Sequence, residues 1–166
     1  MKICAELHAF ALGQVREINI PEWGNPTEAK ALKSQQGLLD LAFKYGQNMF
    51  QQSDPPAPSL SCGDVVILPD GARWIIMSIG FKPAKRMAYA PVNSEKGGWT
   101  LGLVEEGEPG YYPCAQVEPH SDREFMAIRA DRINEGLGLS EVEAAKIVVS
   151  SWKGKPKPAG INFQFI

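Results

Sequence analysis

The chain has 166 residues, a formal net charge of −2 at pH 7 and a sequence isoelectric point of about 5.7. This length suits one domain, and the near-neutral charge excludes a general electrostatic attraction to nucleic acid or to an acidic membrane. Hydrophobic residues make up 44% of the sequence and charged residues 22%, as in globular proteins with a packed core. No apolar run approaches the roughly 20 residues of a membrane span, and the first residues lack signal-peptide character. We therefore expect a cytoplasmic protein without a membrane partner.

The cysteines give no sign of a disulfide framework. Cys4, Cys62 and Cys114 are odd in number and widely spaced, whereas small secreted domains carry an even and denser set. We expect reduced thiols, mostly packed in the interior.

The first third of the chain is predicted to form a β-hairpin followed by a long helix. Apolar and polar residues alternate over residues 2–10, and a second strand follows over residues 15–20, where Pro21 ends it. Helical spacing over residues 35–50 predicts an amphipathic helix that ends at Gly46 or continues to residue 50. Its buried stripe is expected to contain Leu38, Leu39, Ala42, Phe43, Tyr45 and Met49.

A stiff, proline-rich linker over residues 53–58 leads into a second predicted hairpin. A short apolar strand is followed by the turn Pro69-Asp70-Gly71 and by a strand that carries Trp74. We expect Trp74 to be largely buried, with Ile75 or Ile76 facing the other layer.

Three further strands are predicted over residues 86–90, 99–104 and 111–117. A polar loop over residues 92–98 and an acidic turn over residues 105–110 separate them. Pro113 indicates an edge strand or a bulge, because proline cannot donate to a strand ladder.

Two capping boxes predict a C-terminal helical hairpin. Ser121 and Ser140, each followed three residues later by glutamate, are the expected N-caps. Gly136 or Gly138 is expected to take the left-handed conformation at the end of the first helix. Alternation over residues 161–165 predicts a final docked strand. The expected buried stripes are Met126, Ala130, Ile133 and Leu137 in the first helix, and Val142, Ala145, Val149 and Trp152 in the second.

The sequence offers little that could hold a metal. Cys4 and His8 are four residues apart on a predicted strand, which separates them by roughly 13 Å. Cys114 and His120 flank loops, with Asp122 beyond, but no Cys-x-x-Cys pair completes a structural zinc site. We expect core thiols and surface histidines, and no metal or other cofactor.

Nucleophilic catalysis has equally weak support. A reactive cysteine needs a base beside it, and only two histidines are present, so Cys114 with His120 or Cys62 with either histidine is the arrangement to consider. No Gly-x-Ser-x-Gly elbow and no Walker-type glycine loop occurs. We expect no catalytic residue, and a cysteine-dependent enzyme is kept as the second alternative.

Nucleic-acid binding is the first alternative. The last helix begins with Ser140, Glu141 and Glu143, which would repel phosphates if it entered a DNA groove. Two basic clusters, if brought onto one face, would form a patch for RNA or DNA; otherwise they are solvated turns. This candidate binding patch contains Lys82, Lys85, Arg86, Lys153, Lys155 and Lys157. The acidic turn with Glu105, Glu106 and Glu108 is interpreted as a solvated hairpin tip or, alternatively, as an acidic mimic of nucleic acid.

The second hairpin also carries a resemblance. Its start, Ser59-Leu60-Ser61 followed by Asp64-Val65, and its end, Ser78-Ile79-Gly80-Phe81, resemble the YodL-like segment of proteins carried on conjugative elements and phages. Cys62 and Trp74 depart from that pattern. The resemblance covers this hairpin alone and implies a mobile-element setting without catalytic residues.

Together these patterns predict one α+β domain over residues 1–166, with a curved antiparallel sheet, one long helix and a C-terminal helical hairpin. We expect a non-enzymatic accessory protein of a bacterial mobile element or phage that binds another macromolecule, with interference in host defence as one candidate role. The expected partner is another protein, ahead of nucleic acid.

Overall fold

The computed structural model describes residues 1–10, 12–22, 25–114 and 117–151. The α+β class is confirmed, since helices accompany antiparallel sheets. The chain groups into two compact units, unit 1 (Met1–Ala84) and unit 2 (Lys85–Ile166). The single domain expected over residues 1–166 stays a prediction.

The strands form two sheets where the sequence predicted one. Unit 1 contains a five-stranded sheet of order β2-β1-β3-β4-β5, and unit 2 a three-stranded sheet of order β6-β7-β8. Strand pairing stops after Ala84 and resumes at Met87, and among the described residues β6 pairs with β7 alone. The elements of unit 1 are β1 (Lys2–Leu7), β2 (Gln14–Asn19), α1 (Pro26–Ala31), α2 (Gln35–Tyr45), β3 (Val65–Ile67), β4 (Arg73–Ile76) and β5 (Phe81–Ala84). Those of unit 2 are β6 (Met87–Asn93), β7 (Trp99–Glu105), β8 (Tyr112–Pro113), α3 (Arg123–Gly136) and α4 (Glu141–Ser151).

Both hairpins predicted in unit 1 are confirmed. β1 pairs with β2, and β3 pairs with β4 through a turn in which Gly71 has a φ of 87°. Trp74 is half-buried rather than largely buried, whereas Ile75 and Ile76 are both in the interior. The segment over residues 53–58 contains no helix or strand, as its prolines predict.

Helix α2 is shorter than its longest predicted extent and buries a different set of residues. It ends at Gly46, so Met49 no longer continues the stripe and is 86% exposed. The buried face is centred on Ala42 with Leu39 and Leu41, which leaves Phe43 at its margin and exposed.

In unit 2, β6 continues to Asn93, into the region predicted as a polar loop. β8 is a two-residue edge strand at Pro113, as the proline predicts. Helix α3 buries the predicted stripe of Met126, Ala130, Ile133 and Leu137. The strand predicted over residues 161–165 lies outside the described residues.

The starts and ends of the two C-terminal helices follow the sequence with one exception. The N-cap of α3 is Asp122, whose carboxylate accepts the Glu124 N–H at 2.9 Å, and not Ser121. Asp122 is held there because its own N–H donates to Nδ1 of His120. The second capping box is confirmed by the Glu143 N–H donating to Ser140 Oγ, and Gly138 takes the left-handed conformation with a φ of 84°.

The stripe predicted for α4 is wrong. Its buried face consists of Ala144, Ile147 and Ser151, with Val148 partly buried. Val142, Ala145 and Val149 are exposed, and Trp152 lies outside the described residues. Helix α4 therefore carries two apolar faces, of which the sheet covers one.

Candidate binding groove

A groove of about 640 Å³ lies in unit 2, lined by α3 on one side and α4 on the other. Its floor includes Tyr89, Pro91 and Asn93 of β6 and Trp99 of β7. The volume falls within the roughly 300–1,000 Å³ that is typical of ligand pockets.

Small residues on the helices leave this space open. Ala127 and Ala130 line the groove from α3, and Ala144 and Ala145 line it from α4. Because alanine ends at Cβ, neither helix fills the volume above the sheet. The groove is thus a consequence of residue size at the positions where two helices flank one sheet.

The second apolar face of α4 borders this groove. Ala145 and Val149 are among its lining residues, and Val149 is 81% exposed. Val142, two turns before Val149 on the same face, is 63% exposed. We call Val142, Ala145 and Val149 the α4 stripe. Contiguous exposed apolar residues beside a concave site are a mark of interaction surfaces.

Polar groups are few and are placed at defined points. The side-chain amide of Asn134 accepts the Tyr89 N–H at 2.7 Å and donates to the Tyr89 carbonyl at 3.0 Å. The guanidinium of Arg123 lies 5.5 Å from the centre of the Trp99 ring, within the range of a cation–π contact. The carboxylates of Asp131, on α3, and Glu141, on α4, contribute negative charge to the two walls.

No protein-family model, curated protein or solved structure matches this chain. Within the described ranges, no helix combines the length and the hydropathy that crossing a membrane requires.

The sequence predicts part of this groove but places it wrongly. The spacing of the α4 stripe predicts a buried face, whereas its three residues are exposed. Nothing in the sequence pattern distinguishes Asn134 or Trp99. The sequence feature that points to the groove is the second apolar face of α4, because a helix that packs on one sheet needs only one apolar face.

The candidate basic patch stays a prediction, because the structure describes only three of its six residues. Lys82 is exposed on β5, whereas Lys85 Nζ lies 3.6 Å from Glu108 Oε1. Arg86 donates through Nε to Glu106 at 3.0 Å and lies 3.4 Å from a Glu143 carboxylate oxygen. The other three members, Lys153, Lys155 and Lys157, lie outside the described residues.

The acidic turn supplies the partners of these cations. Glu106 and Glu108 bind Arg86 and Lys85, and the buried Glu105 carboxylate accepts the Lys85 N–H at 3.0 Å. The hydrogen bond from Arg86 lowers the pKa of Glu106 and raises that of Arg86. The basic cluster at residues 85–86 and the acidic turn, two separate predicted surfaces, therefore neutralise each other.

The cysteines are free thiols, and Cys114 is poorly suited to be a nucleophile. Its side chain is buried, and that burial raises the pKa of Cys114 to about 12. The thiol is therefore protonated at neutral pH, although the thiolate is the reactive form. The ring of His120 instead stacks on Phe125, with ring centres 4.0 Å apart. In the parts of the chain that the structure describes, no three metal-binding side chains come together.

Unit 1 buries a polar network that serves its own fold. A Glu6 carboxylate oxygen lies 3.3 Å from His8 Nε2 and also accepts from the Arg73 guanidinium. Burial alone would raise the pKa of Glu6, but the hydrogen bond to His8 and the charge of Arg73 bring it below its usual value. His8 is fully buried and cannot reach a substrate.

Two further buried groups in unit 1 tie loops to the sheet. The Asp64 carboxylate accepts the N–H groups of His8, Ala9 and Ser61 at 2.8–2.9 Å. Arg16 donates to the carbonyl oxygens of Pro58 and Gln51 at 2.8 and 2.7 Å. Because these groups, and Asn48 Oδ1, which accepts from Arg16 at 2.7 Å, all belong to the same unit, we assign both residues to stability rather than to ligand binding.

Proposed function

We propose that this chain is a non-enzymatic accessory protein that binds an apolar segment of another protein in the groove between α3 and α4. The observation that carries the proposal is the α4 stripe, which does not pack on the sheet and of which Ala145 and Val149 line the groove. The bound segment is expected to carry lysine or arginine beside its apolar residues.

Burial of the α4 stripe supplies a favourable free energy for such binding. Fully burying one valine-sized side chain contributes about 1.5–3 kcal/mol. Val149 and Val142 still have most of their side-chain surface in water. A partner that covers these side chains therefore gains a favourable hydrophobic contribution to the binding free energy.

Charge complementarity favours a partner segment that is basic as well as apolar. Asp131 and Glu141 bring two carboxylates to opposite walls, while the cation Arg123 lies over Trp99. Rim charges of this kind set orientation and association rate more than affinity.

The wider setting of the proposal rests on the sequence alone. The mobile-element or phage context follows from the resemblance of the hairpin between Ser59 and Phe81. A cytoplasmic location belongs to the same proposal.

A random 12-residue peptide library displayed on phage, selected against the full chain, tests the proposed function. We expect enriched peptides that combine apolar residues with Lys or Arg. Their affinity for Val149→Glu should fall at least tenfold, because the new carboxylate would be desolvated in the occupied groove.

Lys146→Glu is the matched control, since it places glutamate at an exposed position of the same helix outside the groove. Peptides that bind wild type and both variants equally would contradict the proposal. Dimerisation of the peptide-free chain that Val149→Glu abolishes would assign the groove to a second copy instead.

A further inference from the structure

The groove floor contains the outer edge of β6, and its backbone geometry indicates what kind of segment the groove accepts. In an antiparallel pair, the N–H and C=O groups of one residue point toward the neighbouring strand, and those of the next residue point away. Tyr89 shows which set points away from β7, because both of its backbone groups bond the Asn134 side chain.

The other end of the hairpin gives the same alternation. Trp99, the register partner of Asn93, exchanges both backbone hydrogen bonds with His120 at 2.7 and 2.8 Å, on the side of β7 away from β6. In such a pair the backbone groups of both residues point away from the shared ladder. The N–H and C=O of Asn93, and the C=O of Pro91, therefore point away from β7 on the groove side.

Asn134 closes only the first part of this edge. Its amide offers Tyr89 one acceptor and one donor, which is what a neighbouring strand would supply. Beyond Tyr89 the edge continues through Pro91 and Asn93, which both line the groove. Proline is compatible with this position because its missing N–H would have pointed outward.

We propose that the segment bound in the groove is an extended strand that pairs with the edge of β6 at Pro91 and Asn93. This inference rests on the proposed function and specifies its binding mode, which is β-strand addition. Alternate side chains of the strand would face the α4 stripe, and the remaining ones would face the opposite side of the groove, because strand side chains alternate.

The test uses a peptide selected from the random library in the experiment above and measures its affinity by fluorescence anisotropy. Asn93→Pro removes the N–H donor at the edge, whereas Asn93→Ala removes the side chain and keeps the donor. We expect Asn93→Ala to bind within about threefold of wild type and Asn93→Pro to bind at least tenfold more weakly. Circular dichroism and the thermal midpoint establish that both variants are folded.

A second measurement on the wild-type protein does not depend on the proline variant folding. N-methylation of each peptide N–H in turn should weaken binding at every second position, and exchange of the Asn93 N–H should slow on binding. Loss of binding on N-methylation without this two-residue alternation, together with unchanged exchange of the Asn93 N–H, would assign a helical occupant and overturn the inference. In that case binding that remains sensitive to Val149→Glu leaves the proposed function standing, whereas insensitivity to Val149→Glu removes both.

Discussion

Helices α3 and α4 pack on the same three-stranded sheet, but they use their apolar residues differently. The stripe of α3, which includes Met126, Ala130 and Ile133, is buried. Helix α4 buries Ala144 and Ile147 and leaves the α4 stripe outside the core.

The difference lies in which apolar residues the sheet covers. On α3, charged residues occupy most of the surface away from the sheet, where Phe125 and Ile128 are about half exposed, and the regularly spaced stripe is the buried one. On α4, Val149 follows Ile147 by two residues, or about 200° around the helix. A helix with apolar residues on two sides can satisfy only one of them against its own sheet. The comparison teaches that the candidate interaction surface of α4 is the apolar face that its own sheet does not cover.

The largest effect is expected when two single alanine variants, one on each apolar face of α4, are compared. Ile147→Ala should lower the free energy of unfolding by about 2–5 kcal/mol, because Ile147 is fully buried. Val149→Ala should change it by less than about 0.5 kcal/mol, as is usual for exposed positions. Urea denaturation of the two variants measures both values. Equal losses would mean that Val149 is packed, and the contrast between the two faces of α4 would be lost.

A smaller effect is expected when the hydrogen bonds that Asn134 of α3 makes with β6 are removed. Asn134→Ala removes both hydrogen bonds between the Asn134 side chain and the backbone of the buried Tyr89, at a cost of about 1–3 kcal/mol. Glu135→Ala, at the next and exposed position, serves as the control and should be near neutral. Thermal unfolding compares the two. If Asn134→Ala is as stable as the control, water can replace the amide, and the edge of β6 is open at Tyr89 as well.

Features set by local chemistry could be predicted from the sequence. The β3–β4 hairpin follows from its Pro-Asp-Gly turn, and the edge position of β8 follows from Pro113. Ser140 and Gly138 act as expected because capping depends on residues within one turn.

Features that depend on distant partners could not be predicted. Asn134 lies 45 residues from Tyr89, and its residue type gives no indication of a buried role. The choice between the two faces of α4 depends on which one the sheet covers, and the spacing of apolar residues is silent on this point. The pairing of Arg86 with Glu106 depends only on the β6–β7 hairpin. Its register begins with Met87 opposite Glu105, which places Arg86 and Glu106 side by side. The position of the groove required the three-dimensional packing.

The smallest expected effect concerns the first turn of each helix. Asp122→Ala should cost about 0.5–2 kcal/mol, because its carboxylate accepts the Glu124 N–H, and Ser140→Ala should cost a similar amount. Ser121→Ala should be near neutral, although the sequence predicts Ser121 as the cap.

Asp122→Asn separates the capping hydrogen bond from the charge, since asparagine is an equally good N-cap. Loss of the negative charge at the helix N-terminus should cost only about 0.3–1 kcal/mol. Thermal midpoints of the four variants rank these effects. If Ser121→Ala is as destabilising as Asp122→Ala, α3 begins one residue earlier and its cap matches the sequence-predicted one. In that case α3 and α4 start in the same way, and the difference between them is confined to their apolar faces.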